Sequence, residues 1–180
     1  MQYQVSMANY WKDKVVWVTG ASSGIGEALV RQLAEKGANI ILSSRNADKL
    51  EVLKAKLPHA EKHSILPLDV SNENIINQAL ISRKELINSV DVLINNAGAA
   101  LVGTIAHTSI EEFEWQLGVN LWGVIYGTKA FLPLMLEQRE GCIVNISSVF
   151  GLIGFPLNGV YNISKFGVRG LTECLWTELE

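Results

Sequence analysis

Short apolar runs alternate with longer amphipathic stretches along this chain, and the alternation predicts strands and helices in turn. Residues 15–18, Val-Val-Trp-Val, are apolar and rich in β-branched and aromatic side chains, as a strand buried on both faces requires. Similar runs at 39–43, 64–68, 90–94 and 142–146 predict four more strands, the third interrupted near its end by Pro67. Between them lie helical patterns. Residues 28–36 present Leu29, Leu33 and Ala34 for packing, with Gly37 as the C-cap. Residues 46–57 open on Asn46 as N-cap and stop at Pro58. The stretch 71–88 carries a stripe of Ile75, Ile76, Ala79, Leu80 and Leu86, and 109–137 begins with Glu111 and Glu112, which suit a helix dipole. A last helix covers 158–180. Five strand signals separated by helices argue an α/β chain built on a parallel sheet with right-handed crossovers.

Composition narrows the picture. A chain of 180 residues, 48% hydrophobic, suffices for one well-buried domain, expected over 14–180 behind an aperiodic arm at 1–13. A formal net charge of −3 without a basic patch argues against nucleic acid as a partner. Two cysteines, Cys142 in a strand and Cys174 in a helix, form neither a disulfide framework nor a zinc spacing, which points to a reducing cytoplasm. The first 13 residues lack the apolar core of a signal peptide, and Asn145, Gly151, Gly154 and Pro156 break the apolar stretches near the end. No membrane association is expected.

The candidate chemistry sits at the ends of the strands. Gly20, Ser22, Ser23, Gly24, Ile25 and Gly26 follow the first strand as Gly-x-x-x-Gly-x-Gly, a sharp turn into a helix whose free N–H groups and positive dipole end suit a pyrophosphate. After the second strand stand Ser44 and Arg45, where a carboxylate would bind a ribose diol. The Arg45 fork fits a 2′-phosphate, which favours NADP(H) over NAD(H). The alternative is a solvated Arg45, with Asp48 on the ribose. Asn95-Asn96-Ala97-Gly98 closes the fourth strand with small residues that let backbone lie against a cofactor and amides that can tie strands together. Asn120 is a poor residue for a helix interior, explained either by a local opening that holds water or by a surface position. Tyr161 and Lys165 stand one helical turn apart on one face, where an ammonium beside a phenol favours its acid/base use.

With Thr19 to Gly26, Asn95 to Gly98, Asn120, Ser147-Ser148, Tyr161 and Lys165 in this order and spacing, the chain resembles the short-chain dehydrogenase/reductase family from about Lys14 onward. The resemblance implies a Rossmann-type doubly wound parallel sheet and an enzyme that interconverts a carbonyl and an alcohol by hydride transfer. Tyr161 is then the acid/base and Ser148 donates to the substrate oxygen. Lys165 holds the nicotinamide ribose, and Asn120 with a water links Lys165 to solvent. Asp69 accepts from the adenine amino group beside Val70, while its alternative role, capping the turn into Ser71, is compatible. Asn96, Ala97 and Gly98 form the cofactor wall. The resemblance also implies a homo-oligomer, dimer or tetramer, with Val168, Leu171 and Leu175 as a candidate face or as core. Family members continue beyond the last helix, so the sheet is expected to be truncated after its fifth strand and the following helix. A cofactor-binding or assembly module without turnover is the alternative function. The apolar loop 149–157 either lines a pocket for a lipophilic substrate or packs inward.

Overall fold

The computed structural model describes residues 10–179, so most of the expected arm lies outside the described residues. Five parallel strands form one sheet in the order β3-β2-β1-β4-β5: β1 (Val15–Thr19), β2 (Asn39–Ser43), β3 (Ser64–Ile65), β4 (Val92–Asn95) and β5 (Cys142–Asn145). Trp17 stands in register with Ile41 on one side and Leu93 on the other. Strand residues alternate between two faces, and the core divides accordingly. Val16, Val18, Ile40, Leu42, Val92 and Ile94 pack with Val30 and Leu33 of α1 (Gly24–Glu35) and Leu50 and Leu53 of α2 (Ala47–Lys54). On the other face Trp17, Ile41 and Leu93 pack with Ala79 of α3 (Glu73–Ser82), Ile87 of α4 (Lys84–Asn88) and Phe131 and Met135 of α6 (Gly123–Gln138). Trp17 meets Phe131 edge to face at 4.8 Å and donates its indole N–H to Ser43 Oγ at 2.6 Å.

Departures from the sequence reading have local causes. The third strand pairs only Ser64 and Ile65 in register with β2. Beyond them Leu66 and Leu68 still donate to Leu42 and Ser44, while Pro67 between them has no N–H to give. The helix expected over 71–88 breaks at Arg83 (φ −124°, ψ 33°), which separates α3 from α4 and lets Ile87 reach the core. The helix expected over 109–137 is α5 (Ile110–Leu117), a π-helical turn (Gly118–Trp122) and α6 end to end. By length and composition this 29-residue run, whose most apolar 18-residue window has a mean hydropathy of 1.2, would suit a membrane. Here Val124, Phe131 and Met135 are buried within the fold instead.

The chain passes from the β3 edge back to the centre at β4, so the strand order reverses between β1 and β4. Crevices for ligands open at the carboxyl ends of the strands at such a switch point.

Candidate active site

A cleft of about 610 Å3 lies at that position. Gly20, Ser22, Ser23, Gly24 and Ile25 form its floor at the end of β1. Gly20 and Gly24 have φ of +66° and +56°, a conformation costly for any residue with a Cβ. Ser23 is the N-cap of α1 but makes no side-chain cap bond, so the first N–H groups of the helix are left for an anion. Gly26, expected to contact the cofactor, is not among the residues lining the cleft. A Cβ there would overlap the Gly20 carbonyl oxygen and lie 2.6 Å from Asn96 Nδ2, so this glycine allows the turn to close on itself.

The 95–98 segment is stitched to the same turn. Thr19 Oγ1 accepts from the N–H groups of Asn96 and Ala97 at 3.0 and 3.1 Å, and Asn96 Nδ2 donates to the Thr19 carbonyl at 2.9 Å. Asn95 Nδ2 donates to Asn145 Oδ1, and Asn145 Nδ2 to Thr172 Oγ1, tying β4 to β5 and to α7 (Gly159–Leu179). Asn96, Ala97 and Gly98 thereby become one wall of the cleft.

Ser44, Arg45, Asp69 and Val70 bound the far end. Among the described residues the exposed Arg45 side chain makes no ion pair or hydrogen bond. Asp48 lies outside the cleft lining, which disfavours it as the ribose ligand. Asp69 Oδ1 caps the turn by accepting from the Ser71 N–H at 3.0 Å and hydroxyl at 2.7 Å, while the residue still faces the cleft.

Tyr161 and Lys165 project from α7 into the opposite end. Lys165 is 4% exposed, and burial pulls its pKa below the usual lysine range. One ammonium donor goes to the Ile146 carbonyl at 2.7 Å, and Nζ stands 5.6 Å from the Tyr161 ring centroid. The half-buried Tyr161 ring packs edge to face with Phe150 at 5.8 Å, and its hydroxyl hydrogen-bonds no described residue. Ser148 is outside the cleft lining: its hydroxyl oxygen accepts from the Phe150 N–H at 3.2 Å, and it makes no bond to Tyr161. Its neighbour Ser147 lines the cleft and donates to the Lys165 carbonyl at 3.1 Å.

Asn120 is fully buried behind the cleft in the π-helical turn, neither on the surface nor in the lining. Its Oδ1 accepts from the Ala99 N–H at 2.8 Å, and its Nδ2 donates to the Ala99 carbonyl at 2.8 Å and to Ser164 Oγ at 3.2 Å. Gln116 Nε2 adds a second donor to the Ala99 carbonyl. The amide is therefore a clamp on the cleft wall, with protein partners at both of its ends, and the π-helical turn is the local opening of the helix expected around it.

Sequence reasoning missed several lining residues. Ala99 and Ala100 extend the 95–98 wall, and Trp115 and Val119, one turn apart around the end of α5, cover its outer side. Helical spacing alone could have found that last pair. Lys49 joins Arg45 through the first turn of α2. In the loop 149–157, Leu152, Ile153, Phe155 and Leu157 are each at least 50% exposed, so these side chains do not pack inward. Val168 is fully buried core and cannot belong to an intersubunit face, whereas Leu171 and Leu175 are half-buried.

Residues 14–180 match the family model of the short chain dehydrogenases. The chain is 41% identical over 170 residues to an uncharacterized oxidoreductase of Staphylococcus saprophyticus, covering 94% of this chain and 69% of that one. A short-chain dehydrogenase/reductase from Burkholderia phymatum, solved in complex with NAD, is 35% identical with a TM-score of 0.88 over 93% of this chain and 60% of its own. The closed form of a serine dehydrogenase complexed with NADP+ is 36% identical with a TM-score of 0.86, over 92% of this chain and 66% of its own.

Proposed function

We propose that this chain, which belongs to the short-chain dehydrogenase/reductase family, interconverts a carbonyl and an alcohol on a lipophilic small molecule, with NADP(H) as the favoured cofactor. The observation that carries the reading is that one cleft is bounded by the uncapped N-terminus of α1 at one point and by Tyr161 and Lys165 at another. The residues present fit a dinucleotide: the glycine turn and α1 would hold the pyrophosphate, Asp69 and Val70 the adenine, Arg45 the 2′-phosphate, and Lys165 with Asn96, Ala97 and Gly98 the nicotinamide half. When bound, the nicotinamide supplies or accepts the hydride.

The remaining work falls to side chains. Tyr161 gives its hydroxyl proton to the carbonyl oxygen in reduction and takes it back in oxidation. Lys165 places positive charge beside the ring, which stabilises the phenol oxygen once its proton has left. The Ser148 oxygen accepts from Phe150, so its own hydrogen is free to donate to the substrate oxygen and align it.

Leu152, Ile153, Phe155 and Leu157 are exposed on the loop that carries Phe150, whose ring meets Tyr161 at 5.8 Å, and they support an apolar substrate. Exposed Trp122, Ile163 and Phe166 support self-association as a dimer or tetramer, and the free thiols Cys142 and Cys174 suit the cytoplasm. The test is oxidation of NADPH and NADH against a panel of carbonyls graded from hydrophilic to apolar, followed by nicotinamide absorbance. Turnover rising with apolarity and favouring NADPH supports the reading. NADH turnover at least as fast refutes the cofactor assignment, and a preference for hydrophilic carbonyls refutes the substrate class.

A further inference from the structure

Lys49 occupies a position that neither the glycine turn nor Arg45 accounts for. It lines the cleft on the Arg45 side, and together with Ser22 it also lines an adjoining groove of about 320 Å3. The other cations of that groove are differently placed. Arg31 is paired with Glu27 at 2.7 Å, and Lys56 borders the groove without reaching the cleft. Among the described residues the Lys49 side chain, like that of Arg45, makes no ion pair or hydrogen bond. Its backbone is fixed, since the Lys49 N–H donates to the N-cap Asn46 Oδ1 at 2.9 Å. Asp48, the adjacent carboxylate, lines the groove and not the cleft.

We propose that Lys49 is the second cation reading the adenosine 2′-phosphate, alongside Arg45 in the cleft lining. This rests on the NADP(H) reading above. A phosphate monoester carries nearly two negative charges at neutral pH, more than one guanidinium neutralises. Arg45 offers a planar fork that fixes orientation, and Lys49 a mobile point charge that supplies the balance. The first turn of α2 adds the positive end of its dipole on the same side. Asp48 is not among the cleft-lining residues, so Asp69, whose Oδ1 is engaged by Ser71, is the carboxylate lining that end.

NADPH and NADH are titrated side by side into the wild-type chain and the variants Lys49→Ala, Arg45→Ala and Lys56→Ala. Lys49→Ala is expected to weaken NADPH about tenfold, the size of one charge-assisted contact, with NADH changed less than about twofold and a shallower salt dependence of NADPH binding. Lys56→Ala is expected to leave the ratio of the two affinities unchanged. If Lys49→Ala weakens NADPH no more than NADH, or no more than Lys56→Ala does, the assignment of Lys49 is overturned. A ratio that falls in Arg45→Ala but not in Lys49→Ala overturns Lys49 alone and leaves the cofactor reading standing. A ratio unmoved by Arg45→Ala but lowered by Lys49→Ala removes Arg45 from the site and keeps Lys49.

Discussion

Replacing Asn120 with alanine separates the clamp from any surface or solvent-facing role. The side chain is fully buried, and its Oδ1 is the acceptor for the Ala99 N–H at 2.8 Å. Removing it leaves that N–H unpaired, at a cost of about 1–3 kcal/mol. The other two bonds are partly backed up. Gln116 still donates to the Ala99 carbonyl, and Ser164 Oγ still donates to the Tyr161 carbonyl at 2.7 Å. Loss of the amide volume adds about 1 kcal/mol for incomplete collapse. The sum, about 2–4 kcal/mol, is a large part of the roughly 5–15 kcal/mol that holds a typical domain folded. With a urea slope of about 2 kcal/mol/M, the unfolding midpoint falls by about 1–2 M. The wall residues Ala99 and Ala100 also loosen, so affinity for both cofactors drops together. A midpoint within about 0.3 M of wild type would refute the clamp and return Asn120 to a replaceable position.

Gly26→Ala tests the packing role assigned to that glycine. Its Cβ would meet backbone at the Gly20 carbonyl, so the expected loss is about 1–3 kcal/mol despite alanine's better helix propensity, read as a lower melting temperature with both cofactors weakened alike. His63 supplies a pH prediction. It is 3% exposed, its Nδ1 accepts from the Ile40 N–H at 3.1 Å and its Nε2 donates to the Pro58 carbonyl at 2.9 Å, and burial lowers its pKa. The unfolded chain then binds more protons between the folded pKa and about 6.5. Stability therefore falls as pH drops below about 6.5. Urea midpoints at neutral and mildly acidic pH check this, and His63→Gln, which can keep both bonds, should flatten the dependence.

What the sequence discloses here follows from how locally each feature is determined. Strand β2 is legible to the residue because its apolar run is bounded by Gly37 before it and a polar turn after it. The turn at Gly20 and the Tyr161–Lys165 pair are legible for the same reason: their chemistry is written in adjacent turns of backbone. Features set by distant partners are not. The Arg83 break is dictated by where Ile87 must be buried, and no proline or glycine marks it. Asn120 reads as a helix misfit, yet its partners Ala99 and Ser164 are supplied by other elements. Gly26 reads as a cofactor glycine, but its packing against the Gly20 carbonyl shows only in three dimensions, and whether Val168 serves a face or the core is decided only by its full burial. Lys49 has no sequence signal beyond its place in the first turn of a helix.

The central claim is that Tyr161 moves the proton while other residues hold the cofactor, and Tyr161→Phe tests it most directly. The Tyr161 hydroxyl binds no described residue, so its removal disturbs no packing. NADPH affinity measured by nicotinamide fluorescence should stay within about twofold, while turnover of an apolar carbonyl falls by roughly 10²-fold or more. Turnover within a few-fold of wild type, with the cofactor still bound, would contradict the account.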